Sequence, residues 1–520
     1  MNLTPEQKII GKENYNAAVA AVSRRAFMKG AAVAVPSLGA AYFGYNEIKG
    51  DPVRVGFIGC GARAQAHIDI VARLPDSRGV AVCDVWDGLE DEYDVEFGGK
   101  VTRRRYSQGL FPSAKRCGLD PADKTRVTKD YRRVLDRKDV DAVCVATPDH
   151  WHAKMTADAM LAGKDVFVEA PFTRRADEAI AVLDVWAKTG RVVTIGVQSM
   201  ADPVWVRAFD FVRTGKIGHV AHAQTGAFRN DARGQWRFLR LAECMTPKSI
   251  DWDMFLGHQH EFCGRPVGER MRFDRASFAQ WKCDAAFTAG PLTDLLTHNL
   301  THLLCAMGTR YPGRVTSGGG LYLEYDGRTV PDLVSVIADY DEGCQLVMTA
   351  GTITAYPTEE VIRGRLGALK FVKGGFEVFR DDPTRGAAFP GRIEKPIEAS
   401  EFVAVEAPRN ETESLWVNFF ESVRARRQST FCPPDLGAAV AATTAMAELS
   451  VSAPAYWDKD RRQIAEAGSP WFEKWRAKSA AGGKPNQVFG WSAGDVGSTL
   501  HPPAHQRLAG PWVNGKDPTS

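Results

Sequence analysis

Val53–Ala64, VRVGFIGCGARA, is the stretch from which the rest of the chain can be read. Val53, Val55, Phe57 and Ile58 give it the character of a buried strand, which runs into Gly59, Cys60, Gly61, Ala62, Arg63 and Ala64. That is the G-x-G-x-x-A form of a dinucleotide-binding turn: Gly59 for the tight turn, Gly61 for close approach of backbone to a pyrophosphate, and Ala64 for helix–strand packing. The following helix turns free N–H groups and the positive end of its dipole toward the phosphates.

The context of the turn supports it. Gly79–Asp84, GVAVCD, reads as a second buried strand ending in an acid, the place where such folds hold an adenosine ribose. No arginine adjoins Asp84, and its carboxylate repels a 2′-phosphate, so NAD is expected in preference to NADP.

A chain of 520 residues exceeds one comfortable core, so two domains plus appendages are expected. Sixty-six basic against 63 acidic side chains leave a net charge of +3, which gives no reason to expect nucleic acid or an anionic membrane as partner. Arg103, Arg104 and Arg105 read as a local solvated face. The ten cysteines show no C-x-x-C pair and no zinc spacing, and their even number is compatible with disulfides without showing them.

Residues 1–50 stand apart. Ser23-Arg24-Arg25-Ala26-Phe27-Met28-Lys29 precedes the weakly apolar run Gly30–Gly44, and together they resemble a twin-arginine export signal. An exported, periplasmic location and contact with the twin-arginine machinery are therefore expected; cleavage and an uncleaved tether both stay open. That route carries folded proteins, so a nucleotide loaded in the cytoplasm would travel in the site and be retained.

After the second strand the chain keeps a βα rhythm. Asp141–Thr147 reads as a buried strand, followed by Pro148, Asp149, His150, Trp151 and His152, a helix over about 153–162, the strand Asp165–Glu169, a helix over 173–188 and the strand Arg191–Val197 before Gln198. Ligands of open α/β sheets collect at the carboxyl ends of strands, which brings Thr147, Pro148, His152, Glu169 and Gln198 into the expected cofactor set with Gly59, Gly61, Ala62, Arg63 and Asp84.

Three segments, TPDHWHA (Thr147–Ala153), AGKDVFVEAP (Ala162–Pro171) and GPLTDLLTHNLTHLL (Gly290–Leu304), resemble the glucose-fructose oxidoreductase, inositol dehydrogenase and rhizopine-catabolism family, Gfo/Idh/MocA. The resemblance covers about 53–464. It implies an α/β protein: an N-terminal doubly wound Rossmann sheet, then a C-terminal α/β domain whose open, largely antiparallel sheet covers the nicotinamide. It also implies chemistry on sugars or cyclic polyols and a homo-oligomer. The expected division is a leader over 1–50, the NAD-binding domain over 51–198, a substrate domain with returning helices over 199–464, and a Gly/Pro/Trp-rich arm over 465–520.

The resemblance transfers unevenly. Where the family usually carries Glu-Lys-Pro, with a lysine that handles the proton, this chain reads Glu169-Ala170-Pro171. Alanine has no titrating group, so the relay is rebuilt, weakened or lost. More weight falls on Asp294-x-x-x-His298, which matches the family's Asp and His pair. The i, i+4 spacing puts both on one helical face, with His298 the candidate base, Asp294 its orienter or a substrate ligand, and His302 one turn on as a substrate contact.

A metal reading of Asp294, His298 and His302 with His150 and His152 is geometrically open; the family positions need no metal, and none is expected. Trp151 either stacks on a sugar or caps the cleft. Phe278–Lys282 resembles the loop lining the substrate pocket in exported members, which makes Trp281 a substrate contact and Lys282 the candidate amine in place of the missing lysine.

The expected function is NAD-dependent hydride transfer with a sugar, polyol or glycoside on a tightly held nicotinamide. Two alternatives stand beside it: an NAD-recycling glycoside hydrolase, and a nucleotide-retaining binding protein disabled by Ala170.

Overall fold

The computed structural model describes residues 51–97, 100–340, 342–381, 399–450 and 455–473. The leader with its arginine pair, and Trp475, Phe489, Trp491 and Trp512 of the C-terminal arm, lie outside the described residues.

β1 (Val53–Ile58) passes through the glycine turn into α1 (Ala62–Arg73) and β2 (Ser77–Cys83). A two-stranded hairpin, β3 (Leu89–Phe97) and β4 (Lys100–Gln108), is inserted next, and the chain returns through β5 (Val127–Thr128) and β6 (Ala142–Val145). α2 (Asp149–Leu161), β7 (Asp165–Glu169), α3 (Ala176–Thr189) and β8 (Val193–Gly196) complete a six-stranded parallel sheet in the order β5-β2-β1-β6-β7-β8. The chain leaves β1 toward β2 on one side and resumes at β6 on the other, so a crevice opens at the carboxyl ends of β1 and β6. The strands read as unbroken apolar runs because helices cover both faces; Val55, Phe57, Val143 and Val166 are completely buried.

α4 (Val204–Arg213) leads into β9 (Val220–Phe228), and a small hairpin of β10 (Glu261–Phe262) and β11 (Arg265–Pro266) sits within the long excursion that follows. The strands β12 (Pro312–Gly320), β13 (Leu333–Tyr340), β14 (Cys344–Gly351), β15 (Val361–Gly364), β16 (Gly367–Val372), β17 (Gly375–Arg380), β18 (Glu401–Ala404), β19 (Ala455–Asp458) and β20 (Gln463–Ile464) join β9 in a ten-stranded sheet. Every neighbouring pair in it is antiparallel except β9 with β14. Its burial alternates residue by residue along β13 and β14, one face being packed and the other open.

α5 (Thr297–Met307) fills the packed face with Leu300, Leu303 and Leu304. Two returning helices, α6 (Glu411–Arg424) and α7 (Pro434–Leu449), close the body; α6 starts on an Asn410 cap, whose Oδ1 accepts from the Glu413 N–H at 3.1 Å. The Trp416 ring of α6 lies flat on Phe167 of β7, with centroids 4.1 Å apart, and ties the end of the chain to the first sheet.

Several sequence boundaries move. α2 begins at Asp149, not near 153, because Pro148 supplies the extended residue that precedes the helix; His150, Trp151 and His152 are therefore first-turn helical residues. The stretch 377–408, rich in Gly, Pro and charged residues, contributes the end of β17 and all of β18. At the start of the arm, Trp471 and Phe472 pack with Tyr456 and Ala465. All ten cysteines are free thiols. No described helix is long and apolar enough to cross a membrane.

Candidate functional site

The glycine turn has two glycines with opposite requirements. Gly59 has φ +82°, and a Cβ there would meet the Ala146 carbonyl carbon at 2.7 Å and Thr147 N at 2.8 Å, so its hydrogen side chain is required by the fold itself. A Cβ at Gly61 meets no protein atom within 4 Å; it would project into open space in front of α1. At the end of β2 the Asp84 carboxylate is fixed by two backbone donors, Cys60 N–H at 2.6 Å on Oδ2 and Trp86 N–H at 2.7 Å on Oδ1. Burial pushes its pKa up to about 6 against these bonds.

Gly59, Gly61, Ala62, Arg63, Asp84, Thr147 and Pro148 share a cavity of about 450 Å³. Its opposite wall comes from the excursion after β9, with Trp236, Phe238, Leu239, Phe278 and Trp281. That excursion is joined to the first sheet by backbone, through Asp87 N–H to Ser249 O at 3.0 Å and Asp251 N–H to Val85 O at 2.8 Å. Arg240 adds a clasp: it pairs with Asp91 of β3 at 2.9 Å and lies 4.5 Å over the Tyr93 ring. An acid at the ribose position, an open cradle at Gly61 and a helix N-terminus behind it fit NAD.

A second lobe, about 550 Å³, opens from the first, and Arg63, Thr147, Gln235, Trp281, Lys282 and Asp294 line both. It adds His152, Glu169, Ala170, Gln198, His298 and Asn299. Glu169 Oε1 accepts from Arg63 Nε at 2.8 Å and from His67 Nε2 at 2.5 Å. Trp416 Nε1, a donor only, bonds His67 Nδ1 at 2.9 Å, which assigns the His67 proton to Nε2. Burial works to raise Glu169, but Arg63 and His67 outweigh it and hold the carboxyl well below the usual carboxylate range.

The Asp294 carboxylate receives Lys282 Nζ on one oxygen and Trp236 Nε1, at 3.1 Å, on the other. Burial alone would lower Lys282; the carboxylates of Asp294, Asp149 and Glu169 overcome it and keep the ammonium above its ordinary range. His298 shifts the other way, downward, because burial outweighs Glu169 and Asp294. The lobe thus holds a charged amine beside a neutral imidazole, groups able to stabilise an oxyanion and to accept a proton.

Residues 53–197 match the family model described as Oxidoreductase family, NAD-binding Rossmann fold, GFO_IDH_MocA. The match covers the whole of the six-stranded parallel sheet. Among curated relatives, a glycosyl hydrolase family 109 protein of Shewanella pealeana is 31% identical over 204 residues, 39% of this chain and 41% of the relative. An alpha-N-acetylgalactosaminidase of Shewanella oneidensis is 29% identical over 202 residues, 39% of this chain and 40% of the relative. The chain thus spans about two fifths of the length of these relatives. Among solved structures, a levoglucosan dehydrogenase in complex with NADH and levoglucosan superposes with a TM-score of 0.52 at 17% identity, over 81% of this chain and 100% of the other. An oxidoreductase domain protein from Kribbella flavida gives 0.53 at 18%, over 81% and 100%. These two share the fold.

Against the Gfo/Idh/MocA expectations, three placements need correction. His302 does not reach the cleft: it stacks on Trp205 with centroids 3.7 Å apart, and its ring nitrogens bond Glu360 at 2.8 Å and Ser199 at 3.2 Å, behind α5. Trp151 is no sugar platform, since its indole bonds the Phe255 carbonyl at 2.9 Å and walls the nucleotide lobe. Asp294 orients Lys282, not His298, because Leu292–Leu296 form a π-turn before α5 begins and the two residues do not share a regular helical turn.

His152, expected as a cofactor contact, lines the second lobe as part of its wall, with each ring nitrogen against a backbone carbonyl, Pro171 O at 2.6 Å and Thr147 O at 2.9 Å. Gln198 is turned back on Gly196 O. Trp281 faces both lobes. No group of three ligating side chains among the described residues is close enough to hold a metal ion. Trp236, His67 and Arg240 are absent from the set expected from sequence, since each is joined to the site only by contacts distant in sequence. The positive φ of Trp236 leaves no mark in composition.

Proposed function

We propose that this chain is an exported, NAD-retaining oxidoreductase that acts on a hydroxyl of a sugar, polyol or glycoside, working as a homo-oligomer. The observation that carries the reading is the meeting of Lys282, Asp294 and His298 in a lobe continuous with the Gly61 cradle. NAD, when bound, supplies the hydride acceptor. The chain's own residues handle the proton: neutral His298 accepts it from the hydroxyl, and the Lys282 ammonium offsets the negative charge that develops on the oxygen. Asp294 keeps Lys282 charged and aimed, and Glu169 fixes Arg63 between the two lobes. The clasp of Arg240 on Asp91 and Tyr93 supports a cofactor retained between turnovers.

A second reading is favoured by the glycoside hydrolase 109 relatives: a glycosidase whose net reaction is hydrolysis, with no net change in the cofactor. One experiment separates the two. Protein loaded with NAD is supplied anaerobically with sugars and with aryl glycosides while absorbance of the bound nicotinamide is followed. Stable reduction is expected. Aglycone release with no accumulated reduced form would instead establish the glycosidase, and silence across the panel would leave a nucleotide-retaining binding protein.

Ala170 gives a second check. With Lys282 already in the lobe, Ala170→Lys introduces a like charge that disfavours the Lys282 ammonium, so turnover falls by roughly tenfold or more. A gain in turnover would mean that the proton relay is disabled in this chain, and would count against Lys282.

A further inference from the structure

Trp236 holds an unusual backbone conformation at a functionally placed point. Its φ is +66°, a left-handed value that a bulky L residue rarely adopts, and the residue as a whole is 3% exposed. Strain of this kind persists only where the surroundings over-determine it. The surroundings are four ionised side chains behind the cavity wall: Arg237, Glu324, Asp326 and Arg328, with side-chain exposures of 6%, 5%, 1% and 0%.

Two positive and two negative groups make the quartet neutral, which is the condition under which charges can remain buried. Arg328 binds Asp326 through Nε at 2.9 Å and Nη2 at 2.6 Å, and its Nη1 lies 2.5 Å from Glu324. Arg237 reaches Asp326 at 3.1 Å. The quartet grips the backbone before Trp236, where Gln235 N–H donates to Glu324 at 2.7 Å and Arg328 Nη2 donates to Gln235 O at 2.9 Å; after Trp236 the hold passes through Gln280, which accepts from Arg237 Nη1 at 2.8 Å and donates from Nε2 to Arg237 O at 3.0 Å. None of the four lines either lobe of the cleft. Their contacts converge on the one residue whose indole N–H reaches Asp294.

We propose that Trp236 is a positioning residue that holds the Asp294 carboxylate against Lys282, and that the buried quartet Arg237, Glu324, Asp326 and Arg328 fixes Trp236 in that posture. With the indole N–H on one carboxylate oxygen, rotation of Asp294 breaks a bond, so the other oxygen stays on the amine. The role within catalysis rests on the proposed oxidoreductase reading; the posture itself does not.

The pH consequence has a definite sign. Lys282 faces Asp294 from the π-turn, Asp149 from the start of α2 and Glu169 from the end of β7, with His298 and Arg63 as the other titrating or charged neighbours. Loosening Asp294 removes the closest stabiliser of the ammonium while burial remains, so the amine deprotonates at lower pH.

The test is competitive labelling of lysines with an acylating reagent across pH, read residue by residue by mass spectrometry, with exposed Lys188 as the internal standard. In Trp236→Phe the Lys282 titration moves down by about one pH unit, which makes labelling at pH 8 about tenfold faster relative to Lys188. Replacement of Trp236 by benzothienylalanine, which keeps the ring shape and lacks the N–H, gives the same shift and serves if the phenylalanine variant does not fold. Asp326→Asn reproduces it, and the double variant shifts no further than Trp236→Phe alone. A folded variant without the indole N–H whose Lys282 titrates as in the parent overturns the proposal.

Labelling needs neither substrate nor turnover. A shift in labelling, with no sugar oxidised by the parent protein, would therefore sink the oxidoreductase reading alone. If sugars are oxidised, kcat falls with the shift while the content of bound NAD holds.

Discussion

Lys282→Met lowers turnover by roughly 10²- to 10⁴-fold and leaves bound NAD at the parent level. Methionine keeps the length and apolar stem of lysine, so the wall beside Trp281 stays filled while the charge is removed. The lost term is the electrostatic one: an ammonium held charged by Asp294, Asp149 and Glu169 in a partly enclosed lobe, worth about 3–5 kcal/mol to the transition state at that fold-change. NAD content is unaffected because the Gly61 cradle and Asp84 hold the nucleotide, while the amine, although it lines both lobes, is committed to Asp294. The measurement is stopped-flow absorbance of the bound nicotinamide with a competent sugar, beside acid release of nucleotide from the same preparation. Turnover within a few-fold of the parent would remove Lys282 from the mechanism, and joint loss of turnover and nucleotide would make it structural.

Gly61→Val abolishes nucleotide retention without harming the fold, and Gly59→Ala does the reverse damage. Gly61 has φ −70° and ψ −172°, an extended conformation that valine adopts readily, and a Cβ there touches no protein atom. The two methyls occupy the space where a pyrophosphate approaches the backbone. NAD affinity should fall at least about 100-fold, or roughly 2.7 kcal/mol, while the thermal midpoint of the nucleotide-free protein stays within a degree or two. At Gly59 the added methyl meets the backbone of Ala146 and Thr147 at positive φ, so stability falls with or without nucleotide, by about 1–3 kcal/mol or more. Thermal melts with and without NAD separate the cases. If Gly61→Val still copurifies with NAD, the turn is not where the pyrophosphate sits.

These two experiments probe the two lobes, and the lobes differ in how legible they are in the sequence. The turn, Asp84 and the strand ends that carry Thr147 and Glu169 belong to one βαβ frame, so short-range spacing and apolar runs locate them together. β13 and β14 are equally plain, because alternation over eight residues can serve one buried face. The substrate lobe is assembled differently. Lys282 arrives on a loop, Asp294 on a π-turn, and Trp236 at a strained position gripped by side chains nearly a hundred residues away; their convergence is a property of packing, with no periodic trace. His302 shows the converse hazard. Its spacing from His298 is helical, yet the face it occupies points at Trp205 and Glu360. The hairpin β3–β4 also escapes a reading by pattern, since its many charged residues look like a solvated connection, although it supplies Asp91 and Tyr93 for the Arg240 clasp.

The π-turn at Leu292–Leu296 bears on how relatives of this chain should be compared. A π-turn closes its hydrogen bonds five residues apart where a regular helix closes them at four. Two proteins can therefore carry an acid and a histidine at the same separation and present them to different partners, if one has the wide turn and the other does not. Counting letters between motif residues measures the chain; it does not measure the angle between side chains. A column of aligned aspartates inherits a common role only where the local winding is also inherited. For this fold, the width of one helical turn is as much a part of the site's signature as the residues that stand on it.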